Sequence, residues 1–579
     1  MQLKKTKLAG IISLLLCSNA LAAVAVDVIA EQEDSSRFGP FVSAMDTSSA
    51  ATSTAIYTNT YAQAFTYDIA APWTYNEYCQ YDDDVCDMFW EGSKSDGSDG
   101  LYVWRRNILN TYNANYVSET EYEILGVDNI TPPSADSTKV TAINSLGEKI
   151  GNITIATDFT RRGFHGSTPL LANDFTGTGG DNEGFSAVYD FTDVVLPGFS
   201  KTLIVGQSSV SWSNQNDSDG RFNACFNAAV DDDRYDYDDL YYCPGFNLQA
   251  SYWVSDDTGN VKTFSSTWIN GLVGSESDAT YIANAYAINT SGFAVGFSTQ
   301  NIYSSDSGGR ARATIFKPTV AAGALSYAMS EITQPKTDAG SDYNDVIRDT
   351  VAIDITDNIY NTTTKVFDPA TVSTNASQGF IVVGNRTFEA IQNRSRATEF
   401  YTYDIASGTV RYPFKENPIK GATSQVSKIN NDGLIVGWRD ARGETSPRED
   451  GSARFQSAFI YDYKTQKSAY LDDLYCQGID DSDVKYRFAN AISVSDNISG
   501  SYTIVANGFD YKNLENYKNR VGSSPVVLTM TITQDDLDSL STTSQCPVKA
   551  DEDYERSGAG MGWFILLPTM MLLFRRFKR

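Results

Sequence analysis

The chain of 579 residues contains a single histidine, and this scarcity removes most histidine-based chemistry. His165 would have to serve any catalytic triad or zinc site, and no Gly-x-Ser-x-Gly nucleophile elbow accompanies it. A P-loop and a dinucleotide fingerprint are also missing from the sequence. We therefore expect His165 to be structural, since histidine is commonly a half-buried polar residue.

Basic residues are scarce relative to acidic ones. The chain has 45 Lys and Arg against 72 Asp and Glu, a formal net charge of −27. Such a charge repels phosphate backbones and anionic lipid headgroups, which excludes nucleic acid and anionic membrane surfaces as partners. Disorder is excluded as well, because 41% of the residues are hydrophobic and 34 are Tyr.

Cysteines are few but even in number once the first one, in the predicted leader, is set aside. An even count in an exported chain favours three disulfides. The spacings do not fit zinc thiolate sites. Proximity along the chain suggests the pairs Cys79–Cys86, Cys225–Cys243 and Cys476–Cys546.

Long apolar runs are missing, and the two short ones lie at the ends of the chain. Residues 1–22 form a predicted signal peptide, with a basic start, an apolar stretch over residues 8–16 and cleavage after Ala22. We expect signal peptidase to remove it during export across the inner membrane.

What the sequence does contain is a repeated ten-residue phrase. Residues 287–296 read Ala-Ile-Asn-Thr-Ser-Gly-Phe-Ala-Val-Gly, and residues 142–151 and 428–437 repeat the pattern. Asn-x-x-Gly suits a type I turn closed by a glycine bulge, so the phrase predicts a β-hairpin. In that register Ala287 would face Val295, and Ala142 would face Ile150. The final Gly would let a neighbouring backbone approach closely.

Degraded copies and a second phrase extend the repeat. Residues 352–360 and 491–500 match the first phrase with the turn Gly or final Val lost, and Val205-Gly206 and Val383-Gly384 resemble its second half. The second phrase is a short aromatic strand, and it occurs at residues 100–104, 186–191, 250–256, 398–404 and 457–463.

Two hairpins per repeat make a four-stranded blade, and such blades bury their faces only against one another. We predict an all-β fold, a single β-propeller of about six or seven blades with long acidic insertion loops, over residues 23–534. An open sandwich or two separate β domains are the alternatives. A polar linker, 535–556, and a C-terminal segment, 557–579, follow.

The two phrases together resemble the HAF-repeat extracellular proteins. The whole layout is similar to an uncharacterised family of exported gammaproteobacterial proteins that end in a GlyGly-CTERM tail. The chain departs from the pattern at Asp357, Asp496 and Tyr360, and the usual His of the second phrase is Ser457, Thr398 or Ala250 here. The resemblance implies shape and location, because the activity of that family is unknown.

The C-terminal segment carries the GlyGly-CTERM likeness. Gly558, Gly560 and Gly562 precede an apolar run, residues 563–574, and a basic end. That run covers about 18 Å of a roughly 30 Å membrane core. The resemblance implies transient inner-membrane insertion, cleavage near the glycines by a rhomboid-type sorting protease, and a mature protein at the cell surface or in the medium. The alternative is a permanent anchor with the domain facing the periplasm.

Acidic loops are the remaining candidates for ligand chemistry. Asp217 and Asp219 lie in a loop that suits calcium, the one cofactor we consider, although the EF-hand pattern fails at Gln215 and Phe226. Solvated loops that keep the protein soluble are the simpler explanation of such runs, and the one that we favour. A turn at residues 255–259 resembles the Asp-box of sialidase-like propellers in part. We expect a surface-structural or binding protein with a glycan or cell-surface ligand; the alternative is a carboxylate-dependent glycosidase.

Overall fold

The structure is a computed structural model, and strands account for most of what it describes. It describes residues 24–32, 38–48, 53–59, 122–125, 137–154, 161–172, 186–209, 248–264, 282–300, 310–334, 347–370, 379–392, 395–414, 423–441, 455–477, 479–540 and 546–547. All structural statements below concern these residues.

The strands form six four-stranded sheets and one three-stranded sheet within the described ranges, plus a small two-stranded hairpin. Sheet 1 contains β2 (Phe38–Met45), β3 (Thr54–Asn59) and β4 (Tyr122–Leu125). Sheet 2 contains β5 (Ser137–Ile143), β6 (Lys149–Thr154), β7 (Arg161–His165) and β8 (Thr168–Leu170). Sheet 3 contains β9 (Ser186–Leu196), β10 (Phe199–Ser209), β11 (Leu248–Val254) and β12 (Asp257–Thr263).

The remaining sheets follow along the chain. Sheet 4 contains β13 (Ala283–Ile288), β14 (Ala294–Gln300), β15 (Arg310–Ala321) and β16 (Ala324–Glu331). Sheet 5 contains β17 (Ile347–Ile355), β20 (Ile381–Gln392), β21 (Ser395–Asp404) and β22 (Thr409–Arg411); β18 (Asn358–Asn361) and β19 (Val366–Pro369) pair as the small hairpin. Sheet 6 contains β23 (Ser424–Ile429), β24 (Leu434–Asp440), β25 (Gln456–Asp462) and β26 (Lys467–Tyr470). Sheet 7 contains β27 (Tyr486–Val494), β28 (Ser501–Asp510), β29 (Ser524–Thr533) and β1 (Ala25–Glu31).

The sheets are arranged as a β-propeller, which confirms the fold class predicted from the repeats. The innermost strands β2, β5, β9, β13, β17, β23 and β27 contact one another in that order, and β27 contacts β2. The six four-stranded sheets are blades of this ring, and sheet 1 lies between sheets 7 and 2. The ring is closed by the first strand, because β1 pairs with β29 as the outer strand of sheet 7.

The repeated phrase forms the predicted hairpin. Ala287 pairs with Val295 and Ala142 pairs with Ile150, the register expected from the sequence. In the first copy the Gly292 N–H donates to the Asn289 carbonyl at 2.8 Å. Gly292 has φ +76°, so the glycine occupies the left-handed conformation that the turn needs.

The glycine that ends the phrase allows a close backbone approach, also as predicted. A Cβ added to Gly296 would lie 1.9 Å from the Asn284 carbonyl oxygen, and one added to Gly206 would lie 1.9 Å from the Ala187 carbonyl oxygen. The approaching backbone belongs to the innermost strand of the same sheet. Val205-Gly206 and Val383-Gly384 lie in second strands, β10 and β20, as their resemblance to the phrase predicted.

The alignment of the degraded copies with the repeated phrase, as predicted from the sequence, is wrong by two residues. Ala352 pairs with Gly384, so it corresponds to Ala285, which pairs with Gly296, rather than to Ala287. Asp357 therefore does not replace a turn glycine. The small hairpin β18–β19 stands in place of the tight turn of this sheet, and in sheet 7 the turn is longer and contains Gly500 with φ +91°. The error arises because alanine stands at both 285 and 287, so Ala352 can be matched to either position from the sequence alone.

The second phrase forms third strands in three of its copies, namely β11, β21 and β25. Residues 186–191 instead begin β9, the innermost strand of sheet 3, which corrects their assignment. Both kinds of strand are buried on both faces, so an aromatic, alternating sequence does not distinguish them. Residues 100–104 lie outside the described residues. The Asp-box-like turn is the hairpin between β11 and β12.

Aromatic side chains fill the space between neighbouring sheets. Phe400 of sheet 5 stacks on Phe459 of sheet 6, with ring centroids 5.1 Å apart. Phe264, directly after β12, stacks on Phe316 of sheet 4 at 4.5 Å. These sheets thereby bury their faces on their neighbours, as blades of a propeller do.

In the described part of the chain, three short α-helices follow β26, β28 and β29 respectively: α1 (Leu471–Cys476), α2 (Leu514–Asn519) and α3 (Gln534–Asp538). The start of the predicted linker is packed rather than extended, because Leu537 and Leu540 are buried in the core beside sheet 7. A disulfide joins Cys476 to Cys546. No helix in the described ranges is long and apolar enough to cross a membrane.

Candidate functional site

A channel runs where the innermost strands meet, and it is the main cavity we consider. Its volume is about 560 Å³, and all seven sheets contribute to its wall. That volume lies within the usual range of small-molecule sites. The wall is largely polar, because it includes carboxylates, two lysines, several hydroxyls and two tyrosines.

Each innermost strand has a β-bulge at the same position, and the bulged residue lines the channel. In sheet 4 the pairing passes from Ala285 to Ala287, which leaves Tyr286 unpaired. A bulge re-aims side chains and sharpens the local twist, so the repeat turns successive residues towards the axis. The bulged residues are Ser43, Thr141, Tyr189, Tyr286, Ile353, Ser427 and Ile492.

The residue after each bulge is small in some sheets and charged in three. Sheets 2 and 4 have Ala142 and Ala287 at this position, whereas the charged residues are Asp190, Asp354 and Lys428. The Lys428 Nζ donates to Asp354 Oδ1 at 3.2 Å. We call Asp190, Asp354 and Lys428 the channel charge cluster.

Both carboxylates of the cluster also join neighbouring sheets. Asp354 Oδ2 accepts the Ile429 N–H at 2.8 Å, and Asp190 Oδ2 accepts the Ile288 N–H at 3.0 Å. In each case the acceptor lies in one sheet and the donor in the next. The carboxylates therefore have a structural role as well as a place in the channel wall.

The environment of the cluster shifts its pKa values. Burial raises the pKa of Asp190 to about 6, and the partly opposing influence is the positive charge of Lys428. Burial raises the pKa of Asp354 as well, again against Lys428. Burial by itself would lower the pKa of Lys428, but the carboxylates of Asp354 and Asp190 raise it above its ordinary value.

A second lysine lines the channel on β5. Burial lowers the pKa of Lys139 to about 8, and its Nζ lies 6.0 Å from the centre of the Tyr57 ring. This lysine is thus less strongly charged near neutral pH than an exposed one. The channel therefore holds one lysine with a raised pKa, Lys428, and one with a lowered pKa, Lys139.

The carboxyl ends of the innermost strands form a hydrogen-bonded rim. The Thr290 N–H donates to Asp357 Oδ1 at 2.7 Å, and the Asp357 N–H donates to Asn431 Oδ1 at 2.7 Å. The Asn431 N–H donates in turn to Asp496 Oδ1 at 2.8 Å, and the Asp496 N–H to the Thr47 carbonyl at 2.9 Å. These bonds connect sheets 4, 5, 6, 7 and 1 in sequence. Asp357 and Asp496, which correspond to Thr290 of the phrase in the observed register, are links in this rim.

The Asn of the phrase also reaches the next sheet. Asn289 Nδ2 donates to the Thr356 carbonyl at 3.0 Å, and Asn430 Nδ2 donates to the Ser495 carbonyl at 2.7 Å. The same side chains close their own turns through Oδ1, which accepts the N–H of Phe293 or Leu434. One residue type therefore fixes both the hairpin and the joint between sheets.

An aromatic pair borders the charge cluster. Tyr189 and Tyr286, from sheets 3 and 4, meet edge to face with ring centroids 5.0 Å apart. Gln207 Nε2 donates to the Tyr189 hydroxyl at 3.1 Å. Tyr189 directly precedes Asp190 in the chain, so the pair and the carboxylate share one part of the wall.

Most of the site residues predicted from the sequence lie outside the described residues. The disulfide Cys476–Cys546 is confirmed. His165 ends β7, is half-buried and lies 6.0 Å from the Phe191 ring; burial lowers its pKa, partly against Glu148. The residues outside are Cys79, Cys86, Cys225, Cys243, Asp217, Asp219, Ala22, Gly558, Gly560 and Gly562.

Sequence reasoning missed the channel charge cluster, although one signal was present. The phrase begins with Ala at residues 142 and 287 but with Lys428 in its third copy. A charged residue at a position that is otherwise small and buried indicates a partner of opposite charge nearby, because charged side chains are almost never fully buried unless paired. The two aspartates had no comparable signal, because their copies were misaligned or unrecognised. In the part of the chain that the structure describes, His, Cys, Asp and Glu form no group that could hold a metal ion.

Two solved structures show distant likeness. A Mycobacterium tuberculosis puromycin-hydrolyzing peptidase matches with 8% identity and a TM-score of 0.29, covering 84% of this chain; the chain spans 61% of that peptidase. Bacillus subtilis levansucrase matches with 11% identity and a TM-score of 0.21, covering 53% of this chain and 81% of that one. At these scores neither carries an inference about activity.

No curated protein matches the sequence. A family match, in contrast, extends over residues 9–577, which is nearly the whole chain. It includes every strand of the propeller and the channel that they enclose. The chain belongs to the family described as Protein of unknown function (DUF3466).

Proposed function

We propose that this protein is an exported binding protein that holds a saccharide in its central channel without turning it over. The observation that carries the proposal is the channel itself, about 560 Å³ in volume and lined by every sheet. Carboxylates and hydroxyls accept and donate the hydrogen bonds that sugar hydroxyls need, and tyrosine rings stack on sugar faces.

Binding is favoured over turnover because the channel carboxylates already form hydrogen bonds and an ion pair within the protein. Asp354 uses one oxygen for Lys428 and the other for the Ile429 N–H. A glycosidase nucleophile must instead present a free oxygen to the sugar. The phrase asparagines and the rim aspartates are similarly engaged by neighbouring sheets. These polar groups therefore support a rigid, preformed site.

One observation favours a carboxylate-dependent glycosidase as the second candidate. Asp190 has a pKa of about 6, as a general acid requires, and Asp354 lines the same channel. On this alternative Asp190 would protonate the leaving group. Asp190→Asn would then abolish hydrolysis.

The experiment that separates these functions is a panel of oligosaccharides, measured by isothermal titration calorimetry, beside chromogenic glycosides under the same conditions. Binding with a stoichiometry of one and no release of chromophore supports the binding protein. Hydrolysis that Asp190→Asn abolishes would establish the glycosidase instead. Failure of every saccharide to bind would refute the proposed ligand class.

The proposal includes a route to the cell surface. Residues 1–22 would be removed by signal peptidase, and the segment 557–579 would insert into the inner membrane until a rhomboid-type sorting protease cuts near Gly558, Gly560 and Gly562. The shortness of the apolar run and the helix-disfavouring glycines support cleavage over a permanent anchor. Mass spectrometry of surface-released protein tests this, because a mature peptide that continues through residues 563–574 contradicts it.

A further inference from the structure

Asp190 differs from the other carboxylates of the channel wall in its partners. Asp354 is bonded to a lysine, and the other three each accept at least two hydrogen bonds: Asp46 from Ser48, Asp357 from Thr290 and Asn431, and Asp496 from Asn431. Among the described residues, no Lys or Arg lies within ion-pair distance of Asp190. The positive charge that acts on Asp190 is that of Lys428, which is committed to Asp354.

The channel is therefore short of positive charge at Asp190. Burial disfavours an ionised carboxylate, and the backbone N–H groups of Ile288 and Phe191 compensate for it only in part. A ligand with a cationic group beside Asp190 would supply the missing ion pair. A neutral ligand would leave the Asp190 carboxylate without one.

Tyr189 and Tyr286 supply a second, independent feature at the same place. The two rings meet edge to face beside Asp190 and line the channel. Aromatic faces attract ammonium groups, and the attraction grows where water is excluded. A carboxylate flanked by aromatic rings is a suitable receptor for an organic ammonium ion.

We propose that the channel recognises a saccharide through a primary ammonium group, an amino sugar, which Asp190 binds on the side of the channel where Tyr189 and Tyr286 lie. This inference rests on the proposed saccharide-binding function and names the class of saccharide. Lys428 remains bonded to Asp354 and sets the charge balance of the neighbouring wall. Ser427 lines the channel and offers a hydroxyl to the uncharged part of the sugar, whereas the Thr141 hydroxyl donates to the Val188 carbonyl and can only accept.

The test compares three disaccharides that differ at one group: diglucosamine, its N,N′-diacetylated form and cellobiose. Calorimetry with the purified protein should show diglucosamine binding roughly ten- to hundredfold more tightly than the other two, the range expected for one charge-assisted hydrogen bond. Asp190→Asn should remove that preference. The matched control is Asp193→Asn on the same strand, whose carboxylate accepts the Thr202 hydroxyl and does not line the channel.

The outcomes separate the two proposals. Equal affinity for all three disaccharides overturns the ammonium inference but leaves saccharide binding intact. Binding of none of them overturns both. The comparison between ligands uses the unaltered protein, so it decides the question even if Asp190→Asn fails to fold. A preference for diglucosamine that Asp190→Asn retains would also overturn the assignment of Asp190.

Discussion

Asn430 tests how the propeller is held together, because its side chain has two separable functions. Oδ1 accepts the buried Leu434 N–H at 2.8 Å and closes the turn, while Nδ2 donates to the Ser495 carbonyl of the next sheet at 2.7 Å. Asn144 is the same residue of the phrase in sheet 2. Its bonds, to the N–H groups of Leu146 and Glu148 and to the Glu148 carboxylate, are exposed and stay within the hairpin.

The two asparagines should therefore differ in their cost. Asn430→Ala leaves a buried N–H and a buried carbonyl without partners, at about 1–3 kcal/mol each, which we sum to about 4 kcal/mol of unfolding free energy. Water replaces the lost bonds in Asn144→Ala, so about 1 kcal/mol is expected there. Asn430→Asp keeps the turn acceptor but places a buried carboxylate oxygen against the Ser495 carbonyl, so it should cost at least as much as Asn430→Ala.

Urea denaturation followed by tryptophan fluorescence measures these differences, provided that the slope with denaturant is unchanged among the variants. Equal losses for Asn430→Ala and Asn144→Ala would refute the reasoning, because they would show that only the hairpin function of the residue matters. If Asn430→Asp had the same unfolding free energy as the wild type, the hydrogen bond to Ser495 would contribute nothing to stability.

Three further predictions concern stability. In urea denaturation, Gly433→Ala should lower the unfolding free energy by about 2 kcal/mol more than Gly408→Ala. Both glycines have positive φ, but a Cβ on Gly433 would lie 2.2 Å from the Phe367 ring, whereas a Cβ on Gly408 would meet open space. Equal losses for the two variants would contradict this reasoning. Burial raises the pKa of Asp472 to about 6, above its unfolded value, so ionisation of this carboxyl opposes folding. The resulting loss of stability is absent below about pH 4, grows as the pH rises and is complete above about pH 6. Asp472→Asn should remove roughly 2–3 kcal/mol of this decline in unfolding free energy, which unfolding at several pH values measures. Reduction should lower the unfolding free energy by roughly 4 kcal/mol more in the wild type than in a Cys476→Ser, Cys546→Ser double variant, because only the wild type loses the Cys476–Cys546 bridge, which spans 70 residues.

The hairpins could be predicted from sequence because their causes are local. Asn289 and Gly292 form the turn within four residues, and the pairing of Ala287 with Val295 follows from that turn. The closing glycine was equally readable, since only glycine tolerates the backbone that approaches Gly296. Repetition of such hairpins was enough to predict a propeller.

The candidate site could not be predicted in the same way. Its position depends on the bulges in the innermost strands, and residues such as Ile353 and Ser427 give no local sign that they are bulged. The copy at residues 352–360 was matched two positions away because Ala352 resembles Ala287 as closely as Ala285, and this hid Asp354. Asp190 was hidden differently, because an aromatic strand sequence suits an innermost strand and a third strand alike.

By itself, the sequence determined the turns, the strand register within hairpins and hence the class of fold, since each depends on interactions among residues that are near one another in the chain. Only the tertiary structure decided which charges meet in the channel. Asp190 and Lys428 are 238 positions apart, and they come together because closure of the ring brings the innermost strands of different sheets to one axis. Their pKa shifts follow from burial at that axis, which no local pattern of residues encodes.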